Sequence, residues 1–283
     1  MQESSGPSSH VVGSDGIVLR PLASLEDYLE AVALQDETWG AGFSDRVPAA
    51  ILRVGQKVGG VSAGAFAPSG RLLGFVFGLT GVRDGELVHW SDMLAVRLDA
   101  RGHHLGERLK HYQREAVRAL GVKRMLWTFD PLVARNAHFN LNKLAVGIAD
   151  YVPNFYGANT GSVLHGSLPT DRFVADWSFD NTPVSAAHDA GAGGSVPLTT
   201  VVDGGHVLPV DPLPDAPLVH VPIPVDIESV IARGGDDALA WRLATRNAIM
   251  HYLARGYRVS GFRRGTDREL PAYELSSSPT NHA

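Results

Sequence analysis

The sequence contains no cysteine, which excludes disulfides, thiolate metal sites and a cysteine nucleophile together. The sequence also lacks an excess of basic residues, since it has 25 Lys and Arg and 30 Asp and Glu. A net charge of −5 creates no positive field that would attract a nucleic-acid phosphate backbone. No apolar run is long enough to span a bilayer, and the first residues resemble no secretion signal. We therefore expect a cytoplasmic protein with no nucleic-acid partner and no membrane association.

The composition is that of a globular protein, with 283 residues of which 44% are hydrophobic and 19% charged. The polar, Gly- and Ser-containing start predicts a disordered tail over 1–15. A core domain is expected over 16–180. The Gly- and Pro-rich stretch 181–217 is interpreted as a linker or long loop, and 218–283 as an α+β extension packed on the core.

Local patterns predict the elements of the core. "GIVLRPL" is typical of a first strand, and Ser24 with an acidic first turn indicates a helix. Three runs separated by Pro-x-Gly and Asp-Gly turns then predict an antiparallel meander that ends in "ELVHWSDMLAV". On the first helix, five residues fall on one side and are expected to be core: Leu25, Tyr28, Leu29, Val32 and Trp39.

From Leu105 the apolar period becomes helical and ends at Gly121, a position typical of a C-terminal cap. Its apolar face is predicted to be core, whereas Glu107, Lys110 and Arg114 are expected to point away from it. "KRMLWTFD" follows as a buried strand. Because a helix connects it to the strand that ends at Val96, the two strands should be parallel.

The loop between that strand and that helix, "RLDARGHHLG", holds Arg101, Gly102 and Gly106. On its own it has two interpretations. The glycines permit a tight turn, or the N–H groups from Gly102 to Gly106 form a nest that, with the helix dipole, holds a pyrophosphate. No Walker sequence occurs, and the spacing differs from the Gly-x-Gly-x-x-Gly of a dinucleotide fold, so any phosphate site here is of another kind.

The stretch "LAVRLDARGHHLG" resembles the cofactor motif of the GNAT superfamily of acyl-CoA-dependent N-acyltransferases, Gln/Arg-x-x-Gly-x-Gly/Ala after an aliphatic strand end. Arg101, Leu105 and Gly106 match the motif, and His104 stands where its first glycine is usual. "NAHFNLNKLAVGI" is similar to the family's Asn-led helix, with Asn136 matching and Lys143 where a tyrosine often serves as general acid.

The resemblance implies an α/β GNAT fold: a mixed, mostly antiparallel central sheet, flanked by helices and splayed between strands 4 and 5, here followed by the C-terminal α+β extension. It implies acetyl-CoA or another acyl-CoA as co-substrate and a small-molecule amine or amino-acid-like acceptor, without a metal. The alternative is a non-catalytic GNAT-fold protein that binds CoA. The implied cofactor-binding residues are Leu94, Val96, Arg101, Gly102, His104, Leu105, Gly106, Asn136 and Lys143.

Catalytic candidates follow from strand parity, since residues an even number of places from Leu94 share its face unless a bulge intervenes. Asp92 is the first choice as base or water-positioning residue. The equal alternative is that it only accepts hydrogen bonds or binds the substrate cation, and Glu86 is the second choice as base. Tyr156 could replace the missing acid and is favoured over Tyr151, although core packing is the commoner role of such tyrosines. Asp130 is interpreted as an acceptor that shapes a loop.

The C-terminal stretch "DALAWRLATRNAIMHYLARGY" predicts a helix that carries Arg242 and Arg246. One interpretation is a docked helix with solvated arginines. The other is that the extension caps the acceptor pocket or forms a homodimer contact, with Arg242 or Arg246 meeting an acidic group of the substrate. The adjacent His103 and His104 cannot both face one ion easily, so no metal is expected there.

Overall fold

The computed structural model describes residues 10–157, 160–162, 168–180, 196–203, 206–234 and 236–277. These residues form two compact units. The first comprises 10–127, 160–162 and 178–180, and the second comprises 128–157, 168–177, 196–203, 206–234 and 236–277. The domain boundaries inferred from the sequence stay a prediction.

The first unit is a sheet with helices packed on it. Its strands are β1 (Val11–Val12), β2 (Val18–Pro21), β3 (Val61–Phe66), β4 (Leu72–Arg83), β5 (Glu86–Val96) and β6 (Arg124–Phe129), whose last two residues belong to the second unit. Its helices are α1 (Leu25–Trp39), α2 (Ala49–Lys57) and α3 (Leu105–Arg118), and a short 3-10 helix (Leu98–Ala100) precedes α3. The strands lie in the order β1-β2-β3-β4-β5-β6.

Neighbouring strands of this unit run antiparallel from β1 to β5, whereas β5 and β6 are parallel. This arrangement confirms the predicted fold class, a mixed and mostly antiparallel sheet with one parallel pair between flanking helices. The parallel pair follows from the α3 crossover, because a strand that returns through a helix can lie parallel to the one before it.

The core beneath α1 differs in part from the predicted one. Tyr28 is buried, and Val32 and Trp39 are partly buried against the core, but Leu25 and Leu29 are 64% and 53% exposed. The helix instead turns Ala31, Leu34 and Gln35 inward, and the Gln35 side chain bonds both backbone groups of Val47, accepting from its N–H and donating to its carbonyl. These two hydrogen bonds of a polar residue, which a pattern of apolar residues does not predict, change the side of the helix that is buried.

The second unit contains the remaining elements. Its strands are β7 (Gly147–Val152), β8 (Arg172–Ser178), β9 (Thr200–Asp203), β10 (His206–Pro209), β11 (Leu218–Pro222), β12 (Arg258–Arg263) and β13 (Ala272–Ser276). Its helices are α4 (Ala134–Ala137), which continues as a π-helical turn (His138–Lys143), α5 (Ile227–Arg233) and α6 (Asp237–Ala254). β7 pairs with β8 and β9 with β10, and β13 lies between β11 and β12, all antiparallel.

Aromatic side chains form much of the core of this unit. Phe173 contacts Tyr151, Phe129 and Tyr273 at ring-centroid distances of 5.3, 5.6 and 5.1 Å. The buried Tyr273 hydroxyl donates to the Pro131 carbonyl at 2.7 Å, so its one polar atom is satisfied.

Three segments differ from the sequence-based expectation. Val11–Val12 pairs with β2, so part of the predicted disordered tail is ordered, while 1–9 lies outside the described residues. The predicted linker contains the β9–β10 hairpin, and its stretch 181–195 lies outside the described residues. Helix α2 was not predicted at all. In the described part of the chain, no helix is both long and apolar enough to cross a bilayer.

Candidate functional site

Strand β5 changes its pairing along its length. Its ladder with β6, among the residues that the structure describes, consists of His89↔Met125 and Trp90↔Leu126. From Ser91 to Val96, the strand that β5 pairs with is β4, and no other described segment is paired with this stretch. Alternate N–H and C=O groups along this edge are therefore open to an extended ligand, in the way that a neighbouring strand would use them.

A bulge at Asp92 interrupts the ladder between β4 and β5. Phe77 is opposite Met93 and Gly78 is opposite Ser91, which leaves Asp92 without a partner on β4. An extra residue shifts the alternation of side chains by one on its two sides. Parity counted from Leu94 therefore does not hold beyond this residue.

The contacts with α3 show the shift. His89 and Ser91 both face α3, through hydrogen bonds to Gln113 and Lys110. Val96 faces the same helix, because a Cβ placed on its partner Gly74 would lie 3.3 Å from Leu109 and 3.1 Å from Val96. Strand parity alone places His89 and Ser91, at odd distances from Leu94, on the opposite face. That expectation is wrong, and the bulge is the reason.

Asp92 itself lies at the surface beside another acidic residue. Atoms packed around its carboxyl desolvate it and raise its pKa, and the negative charge of Asp45, from the loop between α1 and α2, raises the pKa further. A hydrogen bond from the Trp90 side chain acts in the opposite direction. Asp92, whose pKa is raised, and the neighbouring carboxyl of Asp45 together can attract a cation, and Asp92 can accept a proton.

Glu86 occupies the opposite end of β5, where it pairs with Arg83 beside the turn. Six residues of extended chain separate it from Asp92, which corresponds to roughly 20 Å. The two carboxylates are therefore not brought together.

The loop after β5 has the backbone that a nest requires. Gly102 has φ +94°, and His104 has φ +54° and ψ +24°, in the left-handed region. His104 thus adopts the conformation for which the GNAT motif commonly uses glycine. Arg101 and His104 are exposed, Gly106 is half-buried and Leu105 is buried in the core at 2% exposure.

The N–H groups of this loop are available. Hydrogen bonding of α3 begins with Arg108 N–H, which donates to the His104 carbonyl at 3.0 Å. None of the N–H groups from Gly102 to Glu107 has a hydrogen-bond partner among the described residues. Unpaired donors at the positive end of a helix favour an anion.

A buried polar cluster lies under the bulge, and the sequence did not reveal it. Lys110 is 2% exposed, although the helical pattern predicted that it would point away from the core. Its Nζ donates to Ser91 Oγ at 2.8 Å and lies 3.7 Å from the centroid of the Trp127 ring. His89 bonds Gln113 Nε2 and Thr80 Oγ1, both at 2.9 Å.

Burial governs the ionisation of this cluster. Desolvation lowers the pKa of Lys110 well below its ordinary value. Burial is the main cause that lowers the pKa of His89 to about 3, and Lys110, in its protonated form, acts in the same direction. At neutral pH we therefore expect His89 to be neutral, and burial favours the neutral amine of Lys110.

The other predicted site residues lie in the second unit. The Tyr156 hydroxyl is 2.9 Å from Thr128 Oγ1, and Lys143 is exposed at the end of the π-helical turn. Asn136 is half-buried, and its carbonyl accepts from Asn140. Tyr151 donates to Asp171 at 2.6 Å, and burial, together with that bond, raises its pKa. The roles predicted for these residues stay predictions.

Arg242 of α6 is buried and Arg246 is half-buried, and both bind carboxylates, in contrast to the interpretation of solvated arginines. Arg242 is 1% exposed and donates to Asp130 at 2.7 Å. Arg246 donates to both oxygens of Asp171, at 2.6 and 2.8 Å. Asp130 also accepts from the Leu132 N–H at 2.8 Å, which is the role of loop acceptor predicted for it.

No protein-family model and no curated protein match the chain. Among solved structures, it is similar to an aminoglycoside 6'-acetyltransferase type Ii at 17% identity and TM-score 0.45, over 59% of this chain and 99% of that one. An acetyltransferase of the GNAT family from Streptococcus pneumoniae matches at 17% identity and TM-score 0.45, over 57% and 99%. A putative acetyltransferase of Salmonella typhimurium, solved with acetyl-CoA, matches at 16% identity and TM-score 0.44, over 59% and 95%.

Proposed function

We propose that the protein is an acyl-CoA-dependent N-acyltransferase that transfers an acetyl group from acetyl-CoA to a small amine or amino-acid-like acceptor by direct attack. One observation supports this most. In the first unit, the β5 edge from Ser91 to Val96 leads directly into a loop whose N–H groups are unpaired at the start of α3. An extended arm followed by an anion is the shape of the CoA tail.

The residues present fit that group. Backbone groups of Leu94 and Val96 would pair with the amide groups of the pantetheine arm. The N–H groups from Gly102 to Gly106, with the α3 dipole and the exposed Arg101, would hold the pyrophosphate. The left-handed backbone of His104 is what allows consecutive N–H groups to converge.

When bound, acetyl-CoA supplies an acyl group activated as a thioester. The protein's part is to place the acceptor and to manage its proton. Asp92 and Asp45 would attract a protonated amine, and Asp92 would then remove the proton that the amine must lose before it attacks. The raised pKa of Asp92 suits a base better than that of an ordinary aspartate does.

Glu86, the second choice as base, lies at the other end of β5, so the proposal assigns the proton transfer to Asp92. Tyr156 as the acid for the departing thiolate, and Asn136 and Lys143 as cofactor contacts, stay predictions from the sequence. The alternative function is CoA binding without catalysis, which Lys143 in the usual place of a tyrosine favours.

Cofactor binding is tested by thermal unfolding of the full chain with acetyl-CoA, free CoA or ATP. At about a hundredfold excess over its dissociation constant, a specific ligand stabilises the folded state by roughly 2.7 kcal/mol, a rise of several degrees. We expect acetyl-CoA and CoA to raise the midpoint and ATP to leave it unchanged. If neither acetyl-CoA nor CoA raises the unfolding midpoint, both the acyltransferase function and the alternative of CoA binding without catalysis are refuted.

Catalysis is then tested with Asp92→Asn, assayed against a panel of amines. An enzyme should lose most of its turnover while acetyl-CoA still shifts the midpoint, because the substitution removes the base and leaves the loop intact. Glu86→Gln is the matched control on the same strand, and we expect it to retain turnover. If wild type acetylates no amine but binds CoA, the alternative function holds. Equal turnover in wild type and Asp92→Asn would remove Asp92 from the mechanism.

A further inference from the structure

A cluster of ionised side chains lies inside the second unit. It consists of two aspartates, Asp130 and Asp171, and three arginines, Arg172 on β8 with Arg242 and Arg246 on α6. Arg172 and Arg242 are 5% and 1% exposed, and Asp171 is fully buried. Charges buried this deeply must be compensated within the protein.

The hydrogen bonds of Asp171 are saturated by its neighbours. Arg246 donates to both carboxylate oxygens, the Tyr151 hydroxyl donates at 2.6 Å and the Asn154 N–H donates at 3.1 Å. Arg246 therefore uses Nε and Nη2 on Asp171, and the four donors around this carboxylate do not include Arg242.

Both carboxylate oxygens of Asp130 also accept hydrogen bonds. Its Oδ2 accepts from Arg242 Nη2 at 2.7 Å and from Arg172 Nη1 at 3.4 Å, while Oδ1 accepts from the Leu132 N–H. One carboxylate thus serves two guanidinium groups. Within the described part of the chain, Nε and Nη1 of Arg242 are buried and have no hydrogen-bond partner.

A third buried polar atom accompanies these two donors. The side chain of Thr245 is fully buried, and its Oγ1 also has no partner among the described residues. Positions three apart on a helix lie on the same side, so Arg242 and Thr245 share one face of α6. Unpaired buried donors that lie together call for an acceptor.

The charge of the cluster indicates what kind of acceptor. Burial would raise the pKa of Asp130, but Arg242 and Arg172 outweigh that effect and lower it, so Asp130 is ionised. Burial and the bond to Asp171 raise the pKa of Tyr151, which is therefore neutral. Among the ion pairs of the cluster, Arg242 and Arg172 share the one carboxylate of Asp130, whereas Arg246 pairs with Asp171.

We propose that Arg242 and Thr245 form a binding subsite for the carboxylate group of a small organic acid. A carboxylate accepts from a guanidinium and from a hydroxyl at once, and its negative charge complements the guanidinium of Arg242, which shares Asp130 with Arg172. A water molecule would accept the same hydrogen bonds but would not balance the positive charge of Arg242. The subsite lies within the second unit and does not depend on the proposed acetyl transfer.

The subsite is tested by thermal unfolding of the full chain in sodium formate and in sodium acetate, each against sodium chloride at equal ionic strength. We expect a saturable rise of several degrees with a carboxylate and none with chloride. Arg242→Met should abolish the rise. Arg255→Met, at the exposed end of the same helix, should keep it.

Thr245→Val keeps the test decisive if Arg242→Met does not fold, because valine has nearly the shape of threonine. Loss of one hydrogen bond should weaken formate or acetate binding about three- to tenfold, measured as the dissociation constant from the titration. Equal responses to carboxylate and chloride would overturn the proposal. So would a dissociation constant that is the same in wild type and Thr245→Val.

Discussion

Each unit of the molecule buries a basic side chain, and the surroundings of that side chain differ between the two units. Lys110 in the first unit contacts a serine hydroxyl and a tryptophan ring. Arg242 in the second unit is held by a carboxylate and lies in a network of five ionised groups. A lysine can lose its proton on burial, whereas a guanidinium cannot, so only the arginines oblige the fold to bury carboxylates with them.

The difference predicts where a single substitution is most damaging. In the second unit, Asp171→Asn removes the counter-charge of Arg246 and places an amide against its two donors. Removing one partner of a buried ion pair costs about 3–5 kcal/mol, and because the Arg246 side chain is 19% exposed, the loss should lie at the lower end of that range. We expect a loss of that size in the free energy of unfolding, measured by urea titration.

The control for this substitution is Asp215→Asn. Asp215 pairs with Arg255 at 3.0 Å, but its side chain is 80% exposed. An exposed pair contributes only about 0–1 kcal/mol, so the unfolding curve should barely move. Similar losses of unfolding free energy in Asp171→Asn and Asp215→Asn would show that the buried ion pair contributes no more to stability than the exposed one.

The cluster of the first unit depends on close packing instead of charge. A Cβ added at Gly78 would collide with His89 Nε2 and lie 2.6 Å from the Trp90 carbonyl and 2.7 Å from Gln113 Nε2. Gly78→Ala should therefore cost about 1–3 kcal/mol of stability through overpacking. Urea unfolding measures this loss.

Gly81→Ala, on the same strand, is the matched control. A Cβ at Gly81 meets no described atom within 4 Å, and neither glycine has a positive φ. We expect its stability to stay within about 0.5 kcal/mol of wild type. If both alanines behave alike, the polar cluster is loosely packed and its ionisation would be governed by solvent.

Much of the first unit could be predicted from local patterns. The turns of the meander, the helical period that begins at Leu105 and the Gly121 cap each act over a few residues, and the structure has the corresponding strands and helix. The parallel β5–β6 pair followed from the connecting helix alone. The loop was also identified, since Arg101, Gly102 and Gly106 are close in sequence.

The features that were mispredicted depend on tertiary contacts. No residue type at Asp92 signals a bulge, because the extra residue is defined by how β4 pairs with β5. The buried face of α1 is fixed by Gln35 bonding to Val47, twelve residues away. The partners of Arg242 and Lys110 lie on other elements, so a helical charge pattern shows both as surface residues.

The sharpest test of the comparison is the pH dependence of Lys110→Met. Because burial places the folded-state pKa of Lys110 below its ordinary 10.5, the unfolded chain binds more protons than the folded protein below that pH. Wild type should therefore lose stability as pH falls from there, by at most about 1.4 kcal/mol per pH unit. Methionine cannot titrate, so the variant should lack this slope.

Urea unfolding at pH values from about 7 to about 10 measures the difference. We expect the free energy of unfolding of Lys110→Met to gain on that of wild type as pH falls, after a roughly constant loss of about 1 kcal/mol for the bond to Ser91. Lys123→Met, at an exposed position, should run parallel to wild type. Parallel curves for Lys110→Met as well would mean that Lys110 keeps its proton in the fold. A buried cation in the first unit would then be stabilised without a carboxylate, and the contrast with the arginine network would rest on the Trp127 ring and the Ser91 hydroxyl.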